Sequence, residues 1–262
     1  MESTTKALLA LVLSLLSVTV NAAKLALIID DVGYRRTDVG VLSLPVPVTL
    51  SVLPHTPWGN ELAIEGWRRG HEIMLHLPMV AEAGNKLGPS AITASMDEWQ
   101  IALTIKRALA DIPFVTGLNN HMGSQLTQQR QVMDRVMTEV SKQKLYFIDS
   151  LTTPESTAFE AAQNAGIPSL KRHVFLDNQL DEAYLQQQLQ QAIDISRRYG
   201  KAILIGHPYP ETLAFLETAL PKLKQKDIQL VTPSSLLSKQ QRARLKTVAP
   251  ATAYLHKLSS AL

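Results

Sequence analysis

Residues 25–29 are an unbroken apolar run, and it leads straight into two adjacent carboxylates, Asp30 and Asp31, with Gly33 just beyond. A short continuous apolar run predicts a strand buried on both faces, as in a parallel sheet. The carboxyl end of such a strand is where α/β folds gather their ligands. Alternation over residues 48–53 predicts a second strand. Further strands are predicted over residues 71–76, 115–121, 145–150, 168–175, 202–207 and 228–231. Between them lie helical patterns. One runs from Gly33 to Leu44 and is closed by Pro45 and Pro47, and another covers 58–69 with Gly70 as its stop. Ser95 and Glu98 have the spacing of a capping box for a helix to residue 110. Helices are also predicted over 127–144, 156–165, 181–199 and 211–225. Trp58, Trp67 and Trp99 fall on helical patterns and read as packing residues. Residues 80–95 form a long loop at a strand's carboxyl end, a usual place for a binding surface.

Strand and helix thus alternate along the chain, which argues for βαβ units and a parallel sheet. Either a barrel or an open doubly wound sheet would satisfy this pattern. The chain has 262 residues, enough for one large domain. Apolar content is 45% and charged content 19%, a globular balance. The net charge of +3 is spread along the chain until a late basic cluster, Lys239, Arg242, Arg244 and Lys246. No nucleic-acid footprint is expected from it. Residues 238–262 read as a basic, weakly ordered tail. Cysteine is absent, which excludes disulfides, thiol catalysis and zinc–thiolate sites.

Residues 1–22 have the form of a secretory signal. Lys6 precedes an apolar stretch over 7–20, and small residues end the segment at Ala22. The stretch is short for a membrane span, which takes about 20 residues. Glu2 weakens the positive start, so a retained anchor is the alternative. Either way the mature chain is expected outside the cytoplasm, in the periplasm, with no second span.

Chemistry can be carried by four predicted strand ends: Asp30-Asp31, His76, Asn119-Asn120-His121 and His207. In a barrel these ends converge on one face. One carboxylate with two imidazoles is a common ligand set for Zn²⁺ or another divalent metal. A second carboxylate would then act as base and a separate histidine as acid. Duller readings stand beside these. Asp30 and Asp31 could cap a helix or bind Arg35 or Arg36, and His121 could only steady its own loop. His207 could be structural, at a tight strand exit before Pro208. His71 should lie at the opposite strand end from His76, structural or exposed. His55 and His173 stay open as substrate contacts, and His256 reads as solvated.

Five stretches carry a resemblance. They are Ile28-Ile29-Asp30-Asp31-Val32-Gly33, Gly70 to Met79 with His71 and His76, Gly117-Leu118-Asn119-Asn120-His121-Met122-Gly123-Ser124, Phe147-Ile148-Asp149-Ser150, and Ile203-Leu204-Ile205-Gly206-His207-Pro208. With these the chain resembles the divergent polysaccharide deacetylase family, the YibQ-like branch of the NodB-homology carbohydrate esterases, over about residues 24–237. The resemblance implies a distorted (β/α) barrel of about seven parallel strands. It implies Asp30 as catalytic base, Asp31 as metal ligand, His76 as a second ligand and His207 as general acid. The wider family's second motif histidine would fall at position 80, which is Val. His121 is expected to replace it, on chemistry and strand position. The family's arginine motif is missing, and Arg172 is expected to serve instead. Asn120, Asp149 and Arg172 are the expected substrate contacts. The activity this implies is removal of acetyl groups from an envelope glycan by metal-activated water. The alternative is a non-catalytic envelope protein that binds glycan or a protein partner on the same scaffold.

Overall fold

A computed structural model of the chain describes residues 22–82 and 87–248. The proposed signal segment through Asn21, His256 and the end of the tail lie outside the described residues. The architecture is a curled, all-parallel sheet surrounded by helices, an α/β barrel-like fold. Nine strands build it: β1 (Ala23–Val32), β2 (Thr49–Val52), β3 (Glu72–Met79), β4 (Val115–Met122), β5 (Tyr146–Asp149), β6 (Ser169–Lys171), β7 (Val174–Phe175), β8 (Lys201–Gly206) and β9 (Ile228–Val231). Their order across the sheet is β6-β5-β4-β3-β2-β1-β8-β7, and β9 pairs the first half of β1. The helices are α1 (Gly59–Arg69), α2 (Glu98–Asp111), α3 (Arg130–Ser141), α4 (Ala158–Asn164), α5 (Glu182–Tyr199), α6 (Pro210–Ala219) and the short α7 (Lys239–Arg242).

Two cores explain the unbroken apolar run of β1. Leu25, Leu27 and Ile29 pack outward under the helices. Ala26 and Ile28 face into the barrel with Met74, Tyr146, Ile148, Ile203 and Ile205. Side chains alternate along a strand, so both faces of β1 must be apolar to be buried.

Several expectations change in detail. The single sixth strand is two: β6 pairs β5, while β7 pairs β8 at the other edge of the sheet. Residues 172–173 carry the chain across, and the barrel closes by chain continuity rather than by a ladder. His173 bridges the seam, since its backbone N–H donates to Ile203 O at 2.9 Å and its Nδ1 accepts from Ile203 N at 3.0 Å. The helix expected up to Leu44 is the 3₁₀ segment Arg36–Ser43. The capping box sits two residues later than expected. Asp97 accepts from Gln100 N at 2.7 Å, while the Ser95 hydroxyl is paired with Thr93. Trp67 packs as expected, stacked on Phe114 at 3.8 Å, but Trp99 is 70% exposed. Part of the expected tail is built into the fold: Ser238 caps α7 and Lys246 N donates to Lys144 O.

The barrel's lower end is closed by a polar clamp. The Tyr146 hydroxyl donates to Glu72 at 2.5 Å, and Ser234 donates to the same carboxylate. Gly117 makes room for the Tyr146 ring: a Cβ there would lie 2.3–2.6 Å from its carbons. Gly117→Ala should therefore destabilise the fold by about 1–3 kcal/mol or more, as overpacking does. A lower midpoint in urea unfolding, with the slope unchanged, is the expected reading.

Candidate functional site

The inward parity of the strands delivers the site. In β1, Ala26 and Ile28 point inward, so Asp30 does too. In β3, His76 shares the parity of Met74, and in β8 His207 follows Ile203 and Ile205. By the same rule Asn119 and His121 both point inward from β4.

Asp31 breaks the rule. As Asp30's neighbour it should face the helices. Instead its backbone is left-handed, φ 59°, where the β1–β2 register shifts between Ile29 and Val32. Such an irregularity re-aims a side chain. Asp38 secures the turn that follows, accepting from Gly33 N at 2.9 Å and Arg35 N at 3.0 Å.

The result is a convergence of three ligand atoms. Asp31 Oδ1 lies 2.7 Å from His121 Nδ1 and 3.1 Å from His76 Nε2. The two ring nitrogens are 3.2 Å apart. Asp31 Oδ1 is buried, yet it has no hydrogen bond of acceptable alignment despite these close neighbours. Among the described residues, these three form the cluster suited to a metal ion. Three ligand atoms that share a focus fit a divalent cation held among them. Burial favours a protonated Asp31, but the adjacent His121 and His76 outweigh it and hold the carboxyl well below the usual range. Burial likewise opposes charge on His76. Asp30 first, then Asp31 and Asn119, overcome it and raise its pKa.

Asn119 joins Asp30 to the three-residue cluster. Its Oδ1 faces His76 Nδ1 at 2.8 Å and accepts from Ser51 Oγ at 2.7 Å. Its Nδ2 donates to both oxygens of Asp30, at 2.8 and 3.0 Å. An amide oxygen can only accept, so His76 carries its proton on Nδ1 and presents Nε2 to the focus.

His207 stands on the other side. Its Nδ1 is 2.9 Å from Asp177 Oδ1, while Asp177 Oδ2 accepts from His207 N and from Thr212 Oγ1. Burial pulls the imidazolium down. The hydrogen bond and charge of Asp177, joined by Asp31 and Asp30, outweigh that and raise the pKa to about 9. A pocket of about 280 Å³ opens here, lined by Asp31, Tyr34, Arg35, His207 and Tyr209 among others.

The three expected substrate contacts are placed in structural bonds. Asn120 points between strands, accepting from Ser150 N and donating to Met122 O. Asp149 faces outward and accepts from Leu151 N, Ser156 Oγ and Phe159 N. Arg172 donates to Ser150 O and Leu151 O and lies over Phe175 at 3.8 Å. No hydrogen bond joins Arg172 to Asp30; Asn119 holds that carboxylate instead. His71 is at the far strand end, buried against Val48 O. His55 pairs with Asp111. Sequence reasoning missed Asp177, Tyr34 and Tyr209. Asp177 was detectable in principle, two residues past the inward Phe175.

This chain belongs to the divergent polysaccharide deacetylase family, whose model matches residues 27–237. It is 40% identical over 227 residues to the uncharacterized protein YibQ of Escherichia coli strain K12, covering 86% of this chain and 71% of that protein. It is 35% identical over 215 residues to an uncharacterized protein of Haemophilus influenzae, covering 82% of this chain and 76% of that one. In fold it is similar to the crystal structure of uncharacterized protein ATU2773 from Agrobacterium tumefaciens C58. The TM-score is 0.78 at 23% identity, covering 83% of this chain and 90% of that one.

Two outcomes test the geometry. His207 in metal-free protein should titrate at about 9 by NMR, and in Asp177→Asn it should fall toward or below the usual 6.5. Because the folded pKa is raised, the pair's stabilisation is full below 6.5 and is lost as pH rises through about 9. Asn119→Ala should weaken zinc binding about 10- to 100-fold, as loss of a ligand's outer partner does. Chelator competition measures this, with NMR reporting the His76 tautomer.

Proposed function

We propose that this chain is a metal-dependent hydrolase that removes acetyl groups from a cell-envelope glycan. The observation that carries the reading is the convergence of Asp31 Oδ1, His76 Nε2 and His121 Nδ1 beside a separate carboxylate and a separate imidazole. Asp31, His76 and His121 would hold the cation, and Zn²⁺ suits two imidazoles and one carboxylate. When bound, it supplies Lewis acidity at the acetyl carbonyl and acidifies water.

The chain's own residues do the rest. Asp30, fixed through both oxygens by Asn119, accepts the proton of the attacking water. His207 is held by Asp177 in the protonated form at neutral pH and gives its proton to the leaving amine or alkoxide. The carbon–nitrogen or carbon–oxygen bond breaks, and the acetic acid formed gives its hydroxyl proton to solvent and leaves as acetate. Asp30 also loses its proton to solvent, and His207 takes one back. Tyr34, Arg35 and Tyr209 line the pocket beside the acid, and they replace Asn120, Asp149 and Arg172 as the proposed sugar contacts. The apolar stretch over residues 7–20 supports export to the periplasm. Among the described residues, no helix is long and apolar enough to cross a membrane.

The test is elemental analysis of the purified protein, paired with acetate release from acetylated chitooligosaccharides. About one equivalent of Zn²⁺ is expected, lost in His76→Ala with His121→Ala. Asp30→Asn should keep the metal and lower turnover about 10²- to 10⁴-fold. Absence of metal after incubation with Zn²⁺, Co²⁺ or Ni²⁺ would end this reading in favour of a glycan- or protein-binding role.

A further inference from the structure

All strands run one way, so the barrel has two unlike ends, and the site occupies only one of them. At the other end β1 and β8 begin, and Lys24 and Lys201 are register partners there. Both are exposed. Like charges side by side on neighbouring strands oppose each other. The Lys and Arg ion pairs formed among the described residues involve neither of them. Beside them opens a hollow of about 660 Å³, lined also by Tyr199, Gln241 and Arg242, with no carboxylate in its lining. Tyr199 is 65% exposed. Lys239 and Arg244 add exposed cations on the same segment as Arg242.

Ala22 lines this hollow as well. The apolar stretch over residues 7–20 therefore precedes this end of the barrel in the chain. Uncompensated cations and an exposed tyrosine next to an apolar stretch are what a membrane interface selects.

We infer that the apolar stretch over residues 7–20 is retained as an anchor, and that this end of the barrel docks beside it on anionic phospholipid headgroups and points the opposite end away from the bilayer. From Val20 to Lys24 the chain reaches at most about 14 Å. The Debye length in physiological salt is about 8 Å. The cations are thus tethered close to the range over which a charged surface is felt. Crowding Lys24 against Lys201 is unfavourable without a counter-charge, and a layer of phosphates supplies one. This inference does not depend on any acetyl transfer chemistry.

The absence of cysteine permits a single-probe test on the full chain. A fluorophore on Gln240→Cys reports this end, and one on Thr37→Cys reports the catalytic end. Both positions are exposed. The chain is reconstituted in phosphatidylcholine vesicles with or without phosphatidylglycerol, and quenching by spin-labelled lipid is read. The residue 240 probe should be quenched only with phosphatidylglycerol, and raised salt should release it. Lys24→Glu and Lys201→Glu should each weaken the binding that this quenching reports about 25-fold, since each reversal changes the charge by two and one charge near a membrane surface is worth about fivefold. The residue 37 probe should stay unquenched. Equal quenching in neutral vesicles, no quenching in either, or indifference to both salt and charge reversal would overturn the inference. The salt dependence of the unsubstituted face stands as a measurement even if a charge-reversal variant folds poorly.

Discussion

The site depends on one backbone irregularity, the left-handed conformation of Asp31. Consecutive residues of a strand face opposite sides, so a regular β1 could aim only one of its two carboxylates into the barrel. The φ of 59° at Asp31 turns the second carboxylate to the same side. For a residue other than glycine this conformation costs about 1–2 kcal/mol. Aspartate tolerates it better than most side chains do. The bonds from Gly33 N and Arg35 N to Asp38 secure the turn immediately downstream. Two carboxylates from adjacent positions thereby face the same side, with no second strand needed to supply either.

Asn119 links Asp30 to His76. An arginine at this place would bring a charge beside Asp30. The amide instead offers one donor group and one acceptor, and both are used: Nδ2 toward Asp30, Oδ1 toward His76. Ser51 fills the remaining acceptor capacity from β2. Asp30, Ser51, His76 and Asn119 are each inward residues of a parallel strand, fully or almost fully buried. Asp30 is thus positioned by the sheet itself rather than by a loop, which favours a fixed geometry.

Much of this was legible in the chain. The apolar runs and their polar ends foretold the parallel strands and the convergence of Asp30, Asp31, His76, His121 and His207. What failed did so for identifiable reasons. Asp149 was read as a pocket residue because it ends an apolar strand. Its parity is that of Phe147, which faces the helices, and so its carboxylate serves the loop after β5. The run over residues 168–175 hid a crossing between opposite sheet edges, because a seam closed by chain continuity leaves no break in hydrophobicity. The expectation for Arg172 rests on residue type, while its guanidinium is engaged by Ser150 O and Leu151 O. The φ of Asp31 leaves no trace in composition, and Asp177 lay just beyond a two-residue strand too short to register as a pattern.

The same parallel arrangement separates the molecule's charges. Strand ends that gather Asp30, Asp31 and Asp177 leave strand starts to carry Lys24 and Lys201. Helices run antiparallel to the strands they follow, so their C-termini share the end with the strand starts, and cations there complement the helix dipole. That explains Arg68 and Arg69 in the last turn of α1 and Arg197 and Arg198 in that of α5. It reaches Lys201, which directly follows the C-cap Gly200 of α5, but not its register partner Lys24, and neither lysine forms an ion pair among the described carboxylates. Helix electrostatics accounts for the first group within the fold. Lys24 and Lys201 stand side by side without an ion pair among the described carboxylates, and a charged surface outside the domain would supply the counter-charge.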